Sequence, residues 1–266
     1  MNNVQLLRGQ LRPVLMVLWM TVVYACGVQA DEGVVLTQVT QVPPGVEVRG
    51  KQVAAYAWSD RQGRNLLVLA EQQASERDDD GTQSASVYAA QYLLDGDRPR
   101  RLWMLYDDVQ HCEFDAGLHF DSAATKVTDL LGDGITQATV GYSRMCTSDV
   151  SPHEFKLIMH IGKSQKYGLR GVDRYGASWW DEEAGALQGM PLPKDCSVTG
   201  QQALVSQYKE QGTELPLPGC YADEQDFAKA PAGLLEFMRR HWLAVMYKQD
   251  AQWGQQQTQD RTEGQE

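Results

Sequence analysis

The chain has 266 residues, 42% of them hydrophobic, and its 35 acidic and 24 basic residues give a formal net charge of -11 at pH 7. An acidic surface opposes binding to nucleic acid, which needs a basic face, and to anionic membranes. The length suffices for one sizeable hydrophobic core with an appended element. The composition therefore favours cationic, metal-bound or neutral partners, or an acidity that serves solubility alone.

The first thirty residues have the pattern of a secretory signal peptide. Arg8 and Arg12 precede an acid-free apolar run over residues 14–26, and small residues follow up to Ala30. An apolar run of about 13 residues is too short to cross a bilayer, which needs about 20. We therefore expect cleavage before Asp31, leaving a mature chain without a transmembrane span.

The same segment contains a rival export signal. Residues 23–26 read VYAC and loosely resemble a lipoprotein box, in which Cys26 would be acylated and become the new N-terminus. Tyr24 is bulky where that motif prefers a small residue. The expected location is therefore the periplasm or the external medium, with a lipid anchor through Cys26 as the alternative.

Four cysteines remain in the mature chain, because Cys26 is removed or acylated in either case. An even number in an oxidising compartment indicates two disulfides, and three pairings of Cys112, Cys146, Cys196 and Cys220 are possible. Sequence order favours Cys112 with Cys146 and Cys196 with Cys220. A four-thiolate zinc site is disfavoured, because the close cysteine pairs of such sites are absent.

Residues 34–172 alternate short runs of β-branched and aromatic residues with Gly, Asp and Asn. Short runs separated by turn signals predict a mainly β fold: an antiparallel meander, a sandwich or a propeller-like sheet. A parallel α/β fold is disfavoured, because no helical pattern separates the runs. The predicted strands are 34–39, 52–58, 65–71, 85–94, 101–107, 117–120, 126–129, 138–143, 155–161 and 166–172.

Beyond the last predicted strand the pattern changes. Gly and Pro become frequent, and the second cysteine pair flanks residues 197–219, which predicts an irregular segment closed by a disulfide. Over 231–248 apolar residues recur at the spacing of one helix face, which predicts a C-terminal α-helix packed on the sheet. The Gln-rich, acidic tail over 249–266 is predicted to be disordered. Residues 31–248 are therefore expected to form a single, mostly β domain.

Signatures of hydrolytic enzymes are absent from the sequence. Neither Gly-x-Ser-x-Gly nor His-Glu-x-x-His occurs. Paired carboxylates for glycoside cleavage are not recognisable in one sequence, because their separation is spatial. A non-enzymatic domain that binds an envelope protein or a glycan is therefore favoured, and a periplasmic enzyme acting on envelope glycan is the alternative.

Residues 127–137, VTDLLGDGITQ, resemble the calcium loop of FG-GAP and integrin-type repeats, in which oxygen ligands wrap a cation and glycine permits a tight bend. Leu131 stands where Asn or Asp belongs, and Gln137 replaces the closing acid. Asp129 and Asp133 remain as weak candidate ligands, which are too few carboxylates for a calcium site. We expect a glycine-containing hairpin turn and no bound cofactor.

Two further groups of residues are candidates for a ligand surface. Residues two apart share one face of an extended strand, so His111, Glu113 and Asp115 would point the same way, as a weak metal site or as a solvated face beside a disulfide. The adjacent Trp179 and Trp180 cannot both face one core if extended. One of these two rings is therefore the best candidate for stacking on a sugar or contacting a partner.

Five segments together resemble a poorly characterised family of exported bacterial proteins labelled surface polysaccharide biosynthesis protein. They are WSDRQGRNLLVL, CEFDAGLHF, VTDLLGDGITQATVGYSRMC, TSDVSPHEFKLIMHIGKSQKYGLRG and APAGLLEFMRRHW. The resemblance covers about residues 50–245 and implies an envelope role, a Cys112–Cys146 pair, a turn over 129–134 and a loop over 148–152. It implies no activity for any residue, and Leu131 departs from the polar turn residue of the relatives.

Overall fold

The computed structural model describes residues 34–96, 98–148, 151–175, 177–181, 183, 186–189, 191–208 and 215–263. The predicted signal peptide, with its lipoprotein-like box at Cys26, lies outside the described residues. The loop expected over 148–152 is described only in part.

The first sheet, sheet A, is a five-stranded antiparallel meander in chain order. Its strands are β1 Thr37–Gln38, β2 Lys51–Asp60, β3 Gly63–Gln72, β4 Gln83–Leu93 and β5 Arg100–Cys112. Both faces are covered: Leu67 and Leu69 belong to the cluster on one face, Leu66 and Val68 to the cluster on the other. This is why β3 reads as a continuous apolar run rather than as an alternating one.

The second sheet, sheet B, is a four-stranded antiparallel meander. Its strands are β6 Asp115–Thr128, β7 Gln137–Thr147, β8 Glu154–Ile161 and β9 Gln165–Val172. The single strand β6 covers both of the strands predicted over 117–120 and 126–129. Its register with β7 shifts between Asp121 and Lys126. Such an irregularity lets one strand bend without ending.

The two sheets enclose one buried apolar layer, to which both contribute. Members of this layer are Trp58, Leu67, Leu69, Val87, Trp103, Leu118, Val140 and Ile158. The mainly β prediction is therefore confirmed, and the fold is a sandwich of two meanders.

The outer faces of the sandwich are covered by different parts of the chain. The outer face of sheet A packs against Val39, Val42, Val46 and Val48 of the N-terminal segment. The outer face of sheet B packs against a C-terminal helix and the segment before it. That segment contains the hairpin of β10 Ser178–Asp181 and β11 Ala186–Gly189 and the helix α1 Val198–Tyr208. The segment predicted as irregular over 197–219 thus begins with a helix, whose start the Ser197 hydroxyl caps by accepting from the Gly200 N–H at 3.1 Å.

The C-terminal helix α2 runs over Leu234–Glu263. It therefore continues well past the predicted end at 248, and the tail predicted to be disordered from 249 is helical as far as Glu263. The composition of this tail lacks apolar residues, but polar partners on the sandwich hold it: Gln249 contacts Asp121, and Asp250 contacts Arg174. No helix of the described residues is long and apolar enough to cross a membrane.

The described residues contain two disulfides. Cys112 is bonded to Cys146 with an S–S distance of 2.07 Å, which joins the end of β5 in sheet A to β7 in sheet B. Cys196 is bonded to Cys220 at 2.01 Å, beside the start of α1. These are the two pairs that sequence order favours.

Candidate functional site

The predicted face of His111, Glu113 and Asp115 is not one strand face. β5 ends one residue after His111, whose φ of 52° breaks the alternation of the strand. The Arg77 guanidinium donates to the carbonyl of Glu113 at 3.2 Å and to the Asp115 carboxylate at 3.4 Å. These residues therefore tie the 73–82 loop to the β5–β6 turn.

The calcium-like loop between β6 and β7 is closed by its own hydrogen bonds. The Asp129 carboxylate accepts from the Gly134 N–H at 3.0 Å, and Asp133 accepts from the Ile135 N–H at 2.8 Å. The buried Gln137 amide donates to the Ile135 carbonyl at 2.8 Å, at the position of the closing acid in the calcium loops. In the described part of the chain, no three His, Cys, Asp or Glu side chains are grouped to hold a metal ion.

Trp179 and Trp180 lie on β10, opposite Gln188 and Leu187 of β11. Their side chains lie outside what the structure describes. The exposure of one of these rings therefore stays a prediction.

A groove of about 540 Å³ opens between sheet B and the C-terminal half of α2, and we call it the polar groove. Polar and aromatic side chains line it: His119, Phe120, Asp121, Ser122, Ser143, His153, Asp173, Gln249, Gln252, Trp253 and Gln256. The volume is in the range typical of small-molecule sites.

Strand alternation explains why polar side chains collect in this groove. His119 and Asp121 are two residues apart on β6, whereas the intervening residue and Leu118 belong to or pack against the inter-sheet core. Ser143 lies opposite His119 in the register of β6 and β7. The apolar first half of α2 covers the apolar part of sheet B, so its polar second half passes over these polar side chains.

Asp173 organises one end of the groove. Its Oδ1 accepts from the backbone N–H groups of His153 and Tyr175, each at 3.0 Å. Its Oδ2 accepts from the Ser143 hydroxyl at 3.1 Å and lies 3.2 Å from Nδ1 of His153. Asp173 is only 3% exposed, and these contacts fix its carboxylate in place.

The Ser143, His153 and Asp173 side chains do not form the relay of a serine hydrolase. Such an enzyme needs its nucleophile within hydrogen-bond reach of the base. The Ser143 hydroxyl instead donates to Oδ2 of Asp173. This is the same carboxylate oxygen that lies 3.2 Å from Nδ1 of His153. The arrangement orients the serine and the imidazole but does not activate the hydroxyl.

Aromatic contacts hold Trp253 at the wall of the groove. The His153 ring stacks on Tyr175 with a centroid distance of 4.3 Å, and the Tyr175 ring meets Trp253 edge to face at 5.2 Å. Edge-to-face pairs of this kind stabilise a fixed ring orientation. The groove thus has a positioned and partly exposed indole.

His119 lies at the other end of the groove. Its Nδ1 is 3.1 Å from the carboxylate of Glu71, a buried residue of β3, and this hydrogen bond raises the pKa of His119 against the opposing effect of burial. The other Glu71 oxygen accepts from the Phe120 N–H at 2.8 Å, which satisfies a donor of the edge strand β6. Sheet A therefore helps to position a side chain of sheet B.

Sequence reasoning missed His153, Asp173 and the residues of α2 that line the groove. One signal was present: Trp242, Met246, Gln249 and Trp253 continue a single stripe at three-and-four spacing beyond the predicted helix end.

No match to this chain is found among protein-family models, curated proteins or solved structures. The resemblance to the polysaccharide-related family stays a prediction.

Proposed function

We propose that the protein is an exported envelope domain that binds a glycan in the polar groove without transforming it. One observation carries this proposal: the Trp253 indole lines the same groove as carboxylate and amide side chains. Saccharides present hydroxyls that donate and accept hydrogen bonds, and carboxylate and amide groups complement both roles. An indole can pack against the apolar face of a sugar ring.

The two disulfides support the location in this proposal. Disulfides persist in oxidising compartments such as the periplasm and the external medium. The resemblance to exported proteins labelled for surface polysaccharide agrees with a glycan ligand. The acidic composition agrees with a neutral one.

Binding is favoured over catalysis by the state of the groove carboxylates. The Asp173 carboxylate accepts three hydrogen bonds and lies 3.2 Å from Nδ1 of His153, and Asp121 accepts from the Ala123 N–H at 2.7 Å and from Gln249 at 2.9 Å. A general acid or base must exchange its proton with the substrate. Carboxylates held in this way orient the groove instead, so an enzyme acting on envelope glycan is the weaker candidate.

The proposal is tested by screening the exported chain against an array of capsule- and lipopolysaccharide-derived oligosaccharides, followed by titration calorimetry of the bound compounds. Trp253→Ala should weaken binding by about tenfold or more, because truncating a tryptophan that anchors a ligand commonly costs more than about 1.4 kcal/mol. Trp253→Phe should retain part of the affinity.

The matched control is Tyr247→Ala, which removes an exposed aromatic ring of the same helix that does not line the groove. Its affinity should equal that of the wild type. Absence of any bound saccharide, or equal losses in Trp253→Ala and Tyr247→Ala, would falsify the proposal.

A further inference from the structure

A second cavity, of about 280 Å³, lies where edge strand β5 of sheet A faces β8 and β9 of sheet B, and we call it the edge cleft. Three cationic side chains line it, Lys156, Lys166 and Arg170, but only one carboxylate, Asp107. The chain as a whole carries a formal charge of -11. The edge cleft therefore concentrates positive charge within a strongly acidic protein.

Strand register places these cations against one another. Lys156 lies directly opposite Arg170 across β8 and β9. Like charges that face each other across a sheet are destabilising unless an opposite charge lies nearby. Lys166 lies opposite His160 across the same two strands, and neither residue of this pair is a carboxylate.

The protein's own carboxylates neutralise only part of this charge. The Lys156 ammonium lies 2.6 Å from Asp107 and 3.4 Å from Glu154, and Arg170 lies 3.0 Å from Asp226. Lys166 is exposed at the mouth of the cleft and has no ion-pair partner among the residues that the structure describes. Lys166, and the Arg170 nitrogens that do not bond Asp226, are therefore the cationic groups left for an anion.

His160 adds an unsatisfied polar group to the same lining. The residue is 5% exposed, and its Nε2 is buried without a hydrogen-bond partner. The ring stacks on Trp103 at 3.8 Å, which fixes its plane. A buried polar atom without a partner is rare in folded proteins, so this edge of the cleft has unused hydrogen-bonding capacity.

We propose that the edge cleft binds the carboxylate group of a small ligand between Lys166 and Arg170. A guanidinium matches the planar carboxylate with two parallel hydrogen bonds, and the ammonium adds a point charge. The singly charged carboxylate is favoured over a phosphate, because Asp107 repels a second negative charge. The site is distinct from the polar groove, which lies on the opposite face of sheet B, and does not depend on its ligand.

The test is titration of the exported chain with sodium glucuronate, sodium acetate, inorganic phosphate and glucose, followed by calorimetry and by the NMR signals of the His160 ring. Glucuronate should bind and shift these signals, whereas glucose should not. Acetate that reproduces the shift assigns recognition to the carboxylate alone, and a response to glucuronate only assigns it to an acidic sugar; both support the proposal.

The variant Lys166→Gln/Arg170→Gln should lower the glucuronate association constant by about tenfold or more, because it removes two charge-assisted contacts. Lys163→Gln removes an exposed lysine from the adjoining β8–β9 turn and should leave the constant unchanged. An equal shift of the His160 signals by glucose, stronger binding of phosphate, or an equal loss in Lys163→Gln would overturn the proposal. Failure of the glycan screen would not affect it.

Discussion

His160 lies on β8 with its ring stacked on Trp103. Burial, assisted by the nearby Lys166 ammonium, lowers the pKa of His160 from 6.5 to about 4. On acidification, His160 is therefore protonated near pH 6.5 in the unfolded chain but only near pH 4 in the folded chain. Folding stability consequently rises with pH across this window and falls when the solution is acidified through it.

Replacing His160 by Phe should flatten this dependence. Phe keeps a flat ring against Trp103 but takes up no proton. The wild type should lose on the order of 2–3 kcal/mol more than His160→Phe between pH 7 and pH 4, from a shift of this size. Urea unfolding at a series of pH values measures the difference.

His119→Gln is the control for this prediction, because its effect has the opposite sign. Glu71 raises the pKa of His119, so the stabilisation from His119 is fully present below pH 6.5 and is lost as the pH rises through the folded-state pKa. The His119→Gln variant should therefore be most destabilised in acid. Parallel curves for wild type and His160→Phe would contradict the assignment.

At the scale of elements, α2 consists of two halves with different anchors. Its first half buries Phe237, Met238 and Trp242 against sheet B. Its second half is held by Arg174, whose side chain is 1% exposed and lies 2.8 Å from the Asp250 carboxylate. Arg174 also donates to the Pro218 carbonyl at 2.9 Å, so it joins α2 to the segment before it. The polar half of the helix, and with it one wall of the polar groove, depends on this guanidinium.

Asp250→Ala should lower the free energy of unfolding by about 2 kcal/mol, because it removes a charged partner of a buried guanidinium. Hydrogen exchange of the amides after residue 249 should accelerate as the second half of α2 frays. Calorimetric unfolding and exchange mass spectrometry measure the two effects.

The matched control is Glu236→Ala, which removes a carboxylate from an exposed pair with Arg240 on the same helix. Exposed pairs four residues apart contribute about 0.5 kcal/mol or less. A loss in Glu236→Ala as large as that in Asp250→Ala would show that the buried contact has no special role.

At the scale of the whole molecule, the chain forms successive layers: the N-terminal segment, sheet A, sheet B and the C-terminal cover with α2. Each sheet is a meander of neighbours in sequence, and the chain passes from one sheet to the other between β5 and β6. Cys112 and Cys146 form the disulfide beside this passage. The bridge therefore links the two halves of the sandwich covalently.

Cys112→Ala/Cys146→Ala should lose about 3.5 kcal/mol of unfolding free energy, because opening a loop of this size restores conformational entropy to the unfolded chain. The shift of the urea midpoint measures the loss. A variant that lacks both disulfides should keep the same urea midpoint when reductant is added, whereas the midpoint of the wild type should fall. An unchanged midpoint in the double variant would be incompatible with a stabilising bridge between the sheets.

Features that depend on neighbours in the chain were predictable. Alternation of side chains along a strand is local, so the β class and most strands follow from the sequence. The two disulfides join consecutive cysteines, so sequence order pointed to them. The helix was predicted to within a few residues at its start, because its apolar stripe is continuous there.

Features that depend on distant partners were decided by the tertiary structure. Gln249 reaches Asp121 across 128 positions, and Arg174 reaches Asp250 across 76. A polar tail has no local pattern that reveals such partners, so its helix and the polar groove were not predictable. The sequence by itself determined the β elements and their buried faces, because these follow from local periodicity. Only the packing of α2 on sheet B, and of β5 against β8 and β9, brought together the side chains of the polar groove and the edge cleft.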